Sequence, residues 1–260
     1  MLRPTDHLKG MTLGATDGEI GTVKDVYFSD QDWTLRYFVI DTGGWLTGRK
    51  VLITPLSIRD VRWDLARIDV RLTRQQVENS PSIDTDKPVS RQQEASFYDY
   101  YGYPYYWMGP HLGGPVPLPN TAASSGTEPA ARHPQERETE DFDAHLRSIN
   151  AVVGYHIEAT DGAIGHVEDF LYDDQTWTIR FLAVDTRNWL PGKHVLVAAD
   201  AVGSVSWGDR AARLKLTLDA VRESPEYDGS GRLDAETEAR LVHHFAVRSQ
   251  DPQQRGIHSR

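Results

Sequence analysis

The chain has 260 residues, 39% of them hydrophobic and 25% charged, a balance typical of one large or two modest globular domains. Its formal net charge of -10 argues against a general phosphate-binding surface, because nucleic-acid affinity rests largely on Lys and Arg. The absence of cysteine excludes disulfides, thiolate catalysis and cysteine metal clusters. Finding neither a long apolar run nor the apolar core of a secretion signal, we expect no transmembrane segment and a cytoplasmic location.

An internal repeat dominates the sequence. The stretch "ATDGEIGTVKDVYFSDQDWTLRYFVIDTGGWLTGRKVL" from Ala15 returns as "ATDGAIGHVEDFLYDDQTWTIRFLAVDTRNWLPGKHVL" from Ala159, an offset of 144 without a gap. Self-similarity of this kind fixes the domain organisation before any other feature is considered. Two copies separated by a long spacer predict a tandem pair of domains.

Each copy has the pattern of short strands. An Asp-Gly pair between two strand-like runs predicts a hairpin near the start of each copy. Gly21 and Gly165 follow three residues later, where we expect a bulge or a close approach of two backbones. The runs "TLRYFVIDT" and "TIRFLAVDT" have the composition of a central strand, and the alternation of Ile68, Val70 and Leu72 with charged residues predicts one buried and one solvated face.

Together these motifs resemble a known family. The pattern "DGxIGxVxD", then "W", "RxxxxDT" and "WLxGxxVL", is similar in both copies to the PRC-barrel domain. That module occurs in the photosynthetic reaction-centre H subunit, in a ribosome-maturation factor and in many small bacterial proteins. The resemblance implies a mainly β chain with two small six-stranded barrels in tandem, and the repeat itself predicts a short helix after each. The resemblance also implies a scaffold that holds other macromolecules, in an architecture associated with stress.

The predicted domain boundaries follow from the repeat and from composition. We expect a first barrel at 8–84, a helix with an aromatic Gly/Pro-rich segment at 85–118, a flexible linker at 119–145, a second barrel at 146–228, and a C-terminal helix with a polar tail at 229–260. Just before the second copy, Phe142, Leu146 and Ile149 are spaced as one face of a short helix.

Residues 97–107, "FYDYYGYPYYW", form an unusually aromatic stretch, which we call the aromatic segment. Extending the offset pairs Phe97 with Leu241 and Tyr101 with Phe245, an i, i+4 spacing that predicts core contacts of a helix after each barrel. Ser90 with Gln93 has the sequence of a capping box, and Asp234 is a suitable N-cap for the second helix.

The other aromatic side chains have no counterpart in the second copy and allow two interpretations. They either pack against a barrel or form an exposed strip for a protein partner, since Tyr and Trp dominate interface anchors. Base stacking is disfavoured, because no Lys or Arg lies between 92 and 131. Two repeated tryptophans in loops are further candidates. The candidate partner-binding residues are Tyr98, Tyr100, Tyr103, Tyr105, Tyr106, Trp107, Trp45 and Trp189.

The search for chemistry finds repeated polar positions but no catalytic motif. Asp41 and Asp185 end matched strands, with Arg36 and Arg180 five residues upstream, and we expect them to cap turns or form ion pairs. The histidines of the second copy stand where the first has Thr or Lys, so we predict no metal site and no cofactor.

The sequence therefore predicts a non-enzymatic adaptor or scaffold with an unknown protein partner. Two alternatives remain, a reaction-centre H-like component of photosynthetic electron transport and a ribosome- or RNA-maturation-associated protein. Peripheral contact with a membrane complex also stays open. So does the choice between a homodimer and pairing of the two barrels within one chain.

Overall fold

The structure is a computed structural model that describes residues 1–46, 48–81, 89–108, 145–186, 194–227, 233 and 235–249. The first half comprises seven strands and two helices: β1 (Leu2–Pro4), β2 (Thr12–Ala15), β3 (Gly18–Ser29), β4 (Leu35–Asp41), β5 (Lys50–Ile53), β6 (Ile58–Arg62), β7 (Arg67–Val70), α1 (Arg74–Glu78) and α2 (Arg91–Tyr101). The second half comprises eight strands and three helices: β8 (Leu146–Ser148), α3 (Ile149–Val152), β9 (His156–Ala159), β10 (Gly162–Asp173), β11 (Thr178–Asp185), β12 (His194–Ala198), β13 (Val202–Ser206), β14 (Ala211–Leu214), α4 (Leu218–Arg222), β15 (Glu226–Tyr227) and α5 (Ala235–Ser249).

The fold is mainly β, as the sequence predicts, with one sheet for each repeat. The first sheet has seven strands in the order β5-β4-β3-β2-β7-β6, with β8 added on β3. The second has eight, in the order β13-β14-β9-β10-β11-β12-β15, with β1 added on β10. In both, the first hairpin strand of the repeat pairs in parallel with its last long strand, β2 with β7 and β9 with β14. No helix in the described residues is long and apolar enough to cross a membrane.

The predicted hairpins form, and the two repeat glycines lie at a crossing of backbones. The ladder between β2 and β3 shifts register close to Gly21, and the ladder between β9 and β10 shifts at Gly165. A Cβ placed on Gly21 would lie 2.0 Å from the carbonyl oxygen of Asp41, and one on Gly165 would lie 1.9 Å from that of Asp185. Only glycine lets the long strand pass this close to the end of its neighbour, so the expected bulge with a close approach is confirmed.

One hydrophobic core runs through both halves of the chain. The inner faces of the two sheets meet where Phe28 of β3 contacts Phe170 of β10, with ring centroids 5.4 Å apart. Phe38 of β4 contacts Trp177 of the second repeat edge to face, at 5.3 Å. The two halves therefore share apolar contacts and do not bury separate interiors.

Two tryptophans at equivalent positions tie the halves together through the backbone. Trp33 and Trp177 have φ angles of +57° and +58°, a left-handed conformation that bulky residues rarely adopt. The amide of Leu35 donates to the carbonyl oxygen of Trp177 at 2.8 Å, and the amide of Ile179 donates to that of Trp33 at 2.7 Å. The strained conformation thus turns each backbone toward the other half, where it is held by hydrogen bonds and packing.

The strand that precedes each repeat pairs with the other repeat. β1 lies antiparallel to β10, and β8 lies antiparallel to β3. The exchange is reinforced by matched ion pairs of 2.6 Å, from Arg3 to Asp174 and from Arg147 to Asp30. These contacts relate the two halves by an approximate two-fold axis.

The carboxylates of Asp25 and Asp169 hold the turns that follow the exchanged strands. Asp25 accepts from the hydroxyl of Ser148 at 2.5 Å, and Asp169 accepts from the hydroxyl of Thr5 at 2.5 Å. Each acid therefore lies in one half and binds the opposite half. Burial raises the pKa of both carboxyls, and the hydrogen bonds that they accept lower it in part.

Two details of the strand pattern differ from the sequence prediction. Leu146 lies in β8 and not on a helix, which begins only at Ile149; Phe142 lies outside the described residues. In β7, Ile68 is buried as expected, but Asp69, which alternation assigns to the solvated face, is only 5% exposed. Arg67 covers it with a 2.7 Å hydrogen bond. Desolvation would raise the pKa of Asp69, but this bond and the neighbouring arginine charges outweigh it and lower the pKa.

Candidate functional site

The aromatic segment begins within α2 and then folds back. Ser90 and Gln93 form the predicted capping box, each side chain binding the backbone amide of the other residue. The helix ends at Gly102, whose φ of +68° is left-handed, and the amide of Tyr103 donates to the carbonyl oxygen of Tyr98 at 2.9 Å. This C-cap reverses the chain, so that the residues after α2 return over the same sheet.

The segment covers the outer face of the first sheet, the side opposite the shared core. This face consists of Tyr27, Tyr37, Val39 and Leu52. Phe97 and Tyr98 pack on it from α2 and are buried, which confirms the predicted core contact at Phe97. Tyr98 is the centre of the cluster, with ring centroids at 5.4 to 6.3 Å from those of Tyr103, Tyr105, Tyr106 and Trp107.

A buried carboxylate lies beneath the segment. Glu94 of α2 is 3% exposed and accepts hydrogen bonds from the hydroxyls of Tyr37 at 2.9 Å and Tyr106 at 2.8 Å. Arg91 donates to its other oxygen at 2.9 Å and also to the hydroxyl of Tyr106. Desolvation raises the pKa of Glu94, while these hydrogen bonds and the charge of Arg91 oppose the rise. Sequence reasoning missed this role, although Glu94 does recur in the repeat as Glu238.

Arg36 completes the binding of the segment from the sheet. Its guanidinium lies 3.7 Å from the ring centroid of Tyr106, in a cation–π contact, and pairs with Asp32. Tyr106 is thus held by a cation on its face and by a carboxylate at its hydroxyl. The geometry is that of a small binding pocket for a tyrosine side chain.

The structure gives the candidate partner-binding residues different surroundings. Tyr98 is buried and therefore packs within the fold, and burial raises its pKa to about 12. Tyr100 is 40% exposed, whereas the four aromatic residues from 103 to 107 are half-buried against the sheet. The Trp45 indole donates to the carbonyl oxygen of Ile20 at 2.5 Å. Trp189 lies outside the described residues. Partner binding by this set stays a prediction.

The second sheet has an equivalent outer face, and in the part of the chain that the structure describes no aromatic segment covers it. Leu241 and Phe245 of α5 are buried as predicted. Val242 occupies the position of Tyr98, but it is 40% exposed where Tyr98 is 2% exposed. A cavity of about 290 Å³ lies here, which we call the α5 groove. Its lining includes Arg180, Phe181, Val242 and Phe245, with Asp32 and Trp33 from the first repeat.

The repeated acids do not converge on a common pocket. Asp41 accepts from the amide of Gly43 at 2.9 Å and so caps a turn, as expected. Arg36 pairs with Asp32, not with Asp41. Asp185 lies at the end of β11, next to His194 of β12 in the ladder. Within the described residues, no group of three or more His, Asp or Glu side chains is placed to hold a metal ion.

One family model matches a region in the first half of the chain. Both halves share the parallel pairing of the first hairpin strand with the last long strand. A family model of the PRC-barrel domain matches residues 6–72, the region that contains β2 to β7. No curated protein matches the chain. The cytoplasmic location and the homodimer stay predictions.

Proposed function

We propose that the protein is a non-enzymatic adaptor built on two PRC-barrel units, which acts by docking segments of other proteins on an outer sheet face. The observation that carries this proposal is the outer face of the first sheet, which already holds a chain segment through ring packing, a buried carboxylate and an arginine. Surfaces of this composition match the aromatic and arginine-rich centres of protein interfaces.

The correspondence between the halves supports treating the second repeat as the same domain. Its strands β9 to β14 follow the order of β2 to β7, with the same parallel pairing and the same glycine crossing. Its acids are used much as those of the first repeat. Asp169, for example, binds the turn at Thr5.

A photo-cross-linking experiment in native lysate tests the adaptor proposal. The photoreactive residue p-benzoylphenylalanine replaces Val242, at the edge of the α5 groove, in the full chain. The matched control places it at Leu65, which is 58% exposed on the first repeat. We expect irradiation to give a discrete cross-linked protein from position 242 and only background from position 65. Equal background at both positions would overturn the proposal.

A further inference from the structure

The helices that follow the two sheets correspond residue by residue, and this exposes one difference. At the offset of 144, Phe97 corresponds to Leu241, and both are buried on their sheets. Tyr98, which is 2% exposed beneath the aromatic segment, corresponds to Val242, which is 40% exposed. Within the described residues, the two outer faces are therefore equivalent surfaces, and an aromatic segment covers only the first.

The two helices also end differently. Gly102 adopts the left-handed conformation that ends α2 and sends the chain back over the sheet. The second copy has Ala246 at this position, and α5 continues to Ser249. Helix α5 therefore continues past the position at which Gly102 ends α2 and reverses the chain.

The second repeat retains the two residue types that hold a tyrosine in the first, one in the lining of the α5 groove and one outside that lining on α5. Arg180 stands where Arg36 stands and lines the groove, but it is exposed and forms no ion pair within the described residues, since Thr176 replaces Asp32. Glu238 stands where Glu94 stands, one helical turn before Val242 on the same helix face.

The apolar part of the groove is also equivalent. Phe181 and Phe245, which both line it, replace Tyr37 and Tyr101 of the first repeat. A guanidinium that forms no ion pair, in a groove lined by aromatic residues, attracts a further ring, because the ring face carries a partial negative charge. A tyrosine hydroxyl can in addition donate to a carboxylate, as Tyr106 does to Glu94.

We propose that the α5 groove binds a tyrosine-bearing segment of a partner protein, with the ring on the Arg180 guanidinium and the hydroxyl directed to Glu238. The bound segment would take the place that the aromatic segment takes on the first sheet. This inference rests on the adaptor function proposed above and assigns it a site and a partner chemistry.

A binding measurement with a defined probe tests the inference. The probe is a fluorescein-labelled synthetic peptide with the sequence "YDYYGYPYYWM" of residues 98–108, titrated with the full chain and followed by fluorescence anisotropy. We expect saturable binding, weakened about tenfold by Arg180→Ala, the size of effect of one partly desolvated cation–π contact. Arg213→Ala, an exposed arginine on β14, is the matched control and should leave the affinity unchanged.

A second probe distinguishes recognition of tyrosine from nonspecific apolar binding. A peptide in which every Tyr is Leu should bind at least tenfold more weakly. Equal binding of the two peptides would overturn the inference, as would equal affinities of wild type and Arg180→Ala. Thermal melts of both arginine variants establish that they are folded.

The two proposals fail in different ways. If the peptide does not bind while position 242 still cross-links a protein, the tyrosine inference is wrong and the adaptor proposal stands. If the peptide binds through Arg180 while position 242 captures nothing from lysate, the tyrosine site stands and the adaptor proposal is overturned.

Discussion

Replacing Tyr106 by Ala tests whether the aromatic segment is part of the fold. The substitution removes a hydroxyl from the buried Glu94 and from Arg91, at a cost of about 1–3 kcal/mol for a buried polar group that loses a partner. It also removes the cation–π contact with Arg36, which contributes about 0.5–2 kcal/mol. The ring contacts with Trp107 and Tyr98 are lost as well, at about 0.5–1.5 kcal/mol for each pair. Because these contributions overlap, we expect a loss of about 3 kcal/mol in the free energy of unfolding.

The measurement is thermal unfolding, monitored by far-UV circular dichroism and by the near-UV circular dichroism of the tryptophans. A loss of this size should lower Tm by about 6–12 °C for a chain of this length. Tyr106→Phe, which keeps the ring, should lose about 1 kcal/mol, whereas Leu56→Ala, at a position 50% exposed, should change stability by less than about 0.5 kcal/mol. If Tyr106→Ala behaves like Leu56→Ala, the segment does not pack on the sheet and the reasoning is refuted.

Two further predictions concern the backbone crossing and the buried acid. Gly165→Ala places a Cβ 1.9 Å from a carbonyl oxygen and should lower the free energy of unfolding, measured in urea, by about 4 kcal/mol. The control Gly208→Ala, which has open space around it, should lower it by less than about 1 kcal/mol. Similar losses for the two variants would contradict the close approach of the backbones. The folded-state pKa of Glu94 is raised above its ordinary 4.5, so wild type loses stability as the pH rises from there through the folded pKa. The stability of Glu94→Gln relative to wild type should therefore increase as the pH rises above about 4.5, and a difference that stays constant would show that folding does not raise the pKa of this carboxyl.

Much of the fold follows from local sequence signals. The gapless repeat predicts two equivalent sheets, the Asp-Gly pairs place the hairpins, and Ser90 with Gln93 places the start of α2. Each of these signals is strong because the interacting residues are neighbours along the chain. The two repeat glycines were also informative, since only a crowded backbone requires glycine inside a strand.

The rest depends on contacts between residues far apart in sequence. β1 and β8 have only three residues each, too few for alternation to predict a strand, and their partners lie in the opposite repeat. Asp69 is buried because arginines of β6 and β7 surround it, which no pattern within one strand indicates. The stacking of Arg36 on Tyr106 joins positions 70 residues apart, so the repeat could mark Arg36 as important without naming its partner.

The exchange of β1 and β8 also bears on how a tandem protein of this kind can arise. A chain with one repeat and one such strand would complete its sheet only by pairing with a second copy, and that assembly would depend on protein concentration. Joining the copies makes the same pairing intramolecular, so it persists at any dilution. Fusion also lets the two halves differ in sequence, because a substitution in one repeat no longer appears in the other. One half can then carry Gly102 and cover its surface with its own rings, while the other carries Ala246 and extends its helix to Ser249.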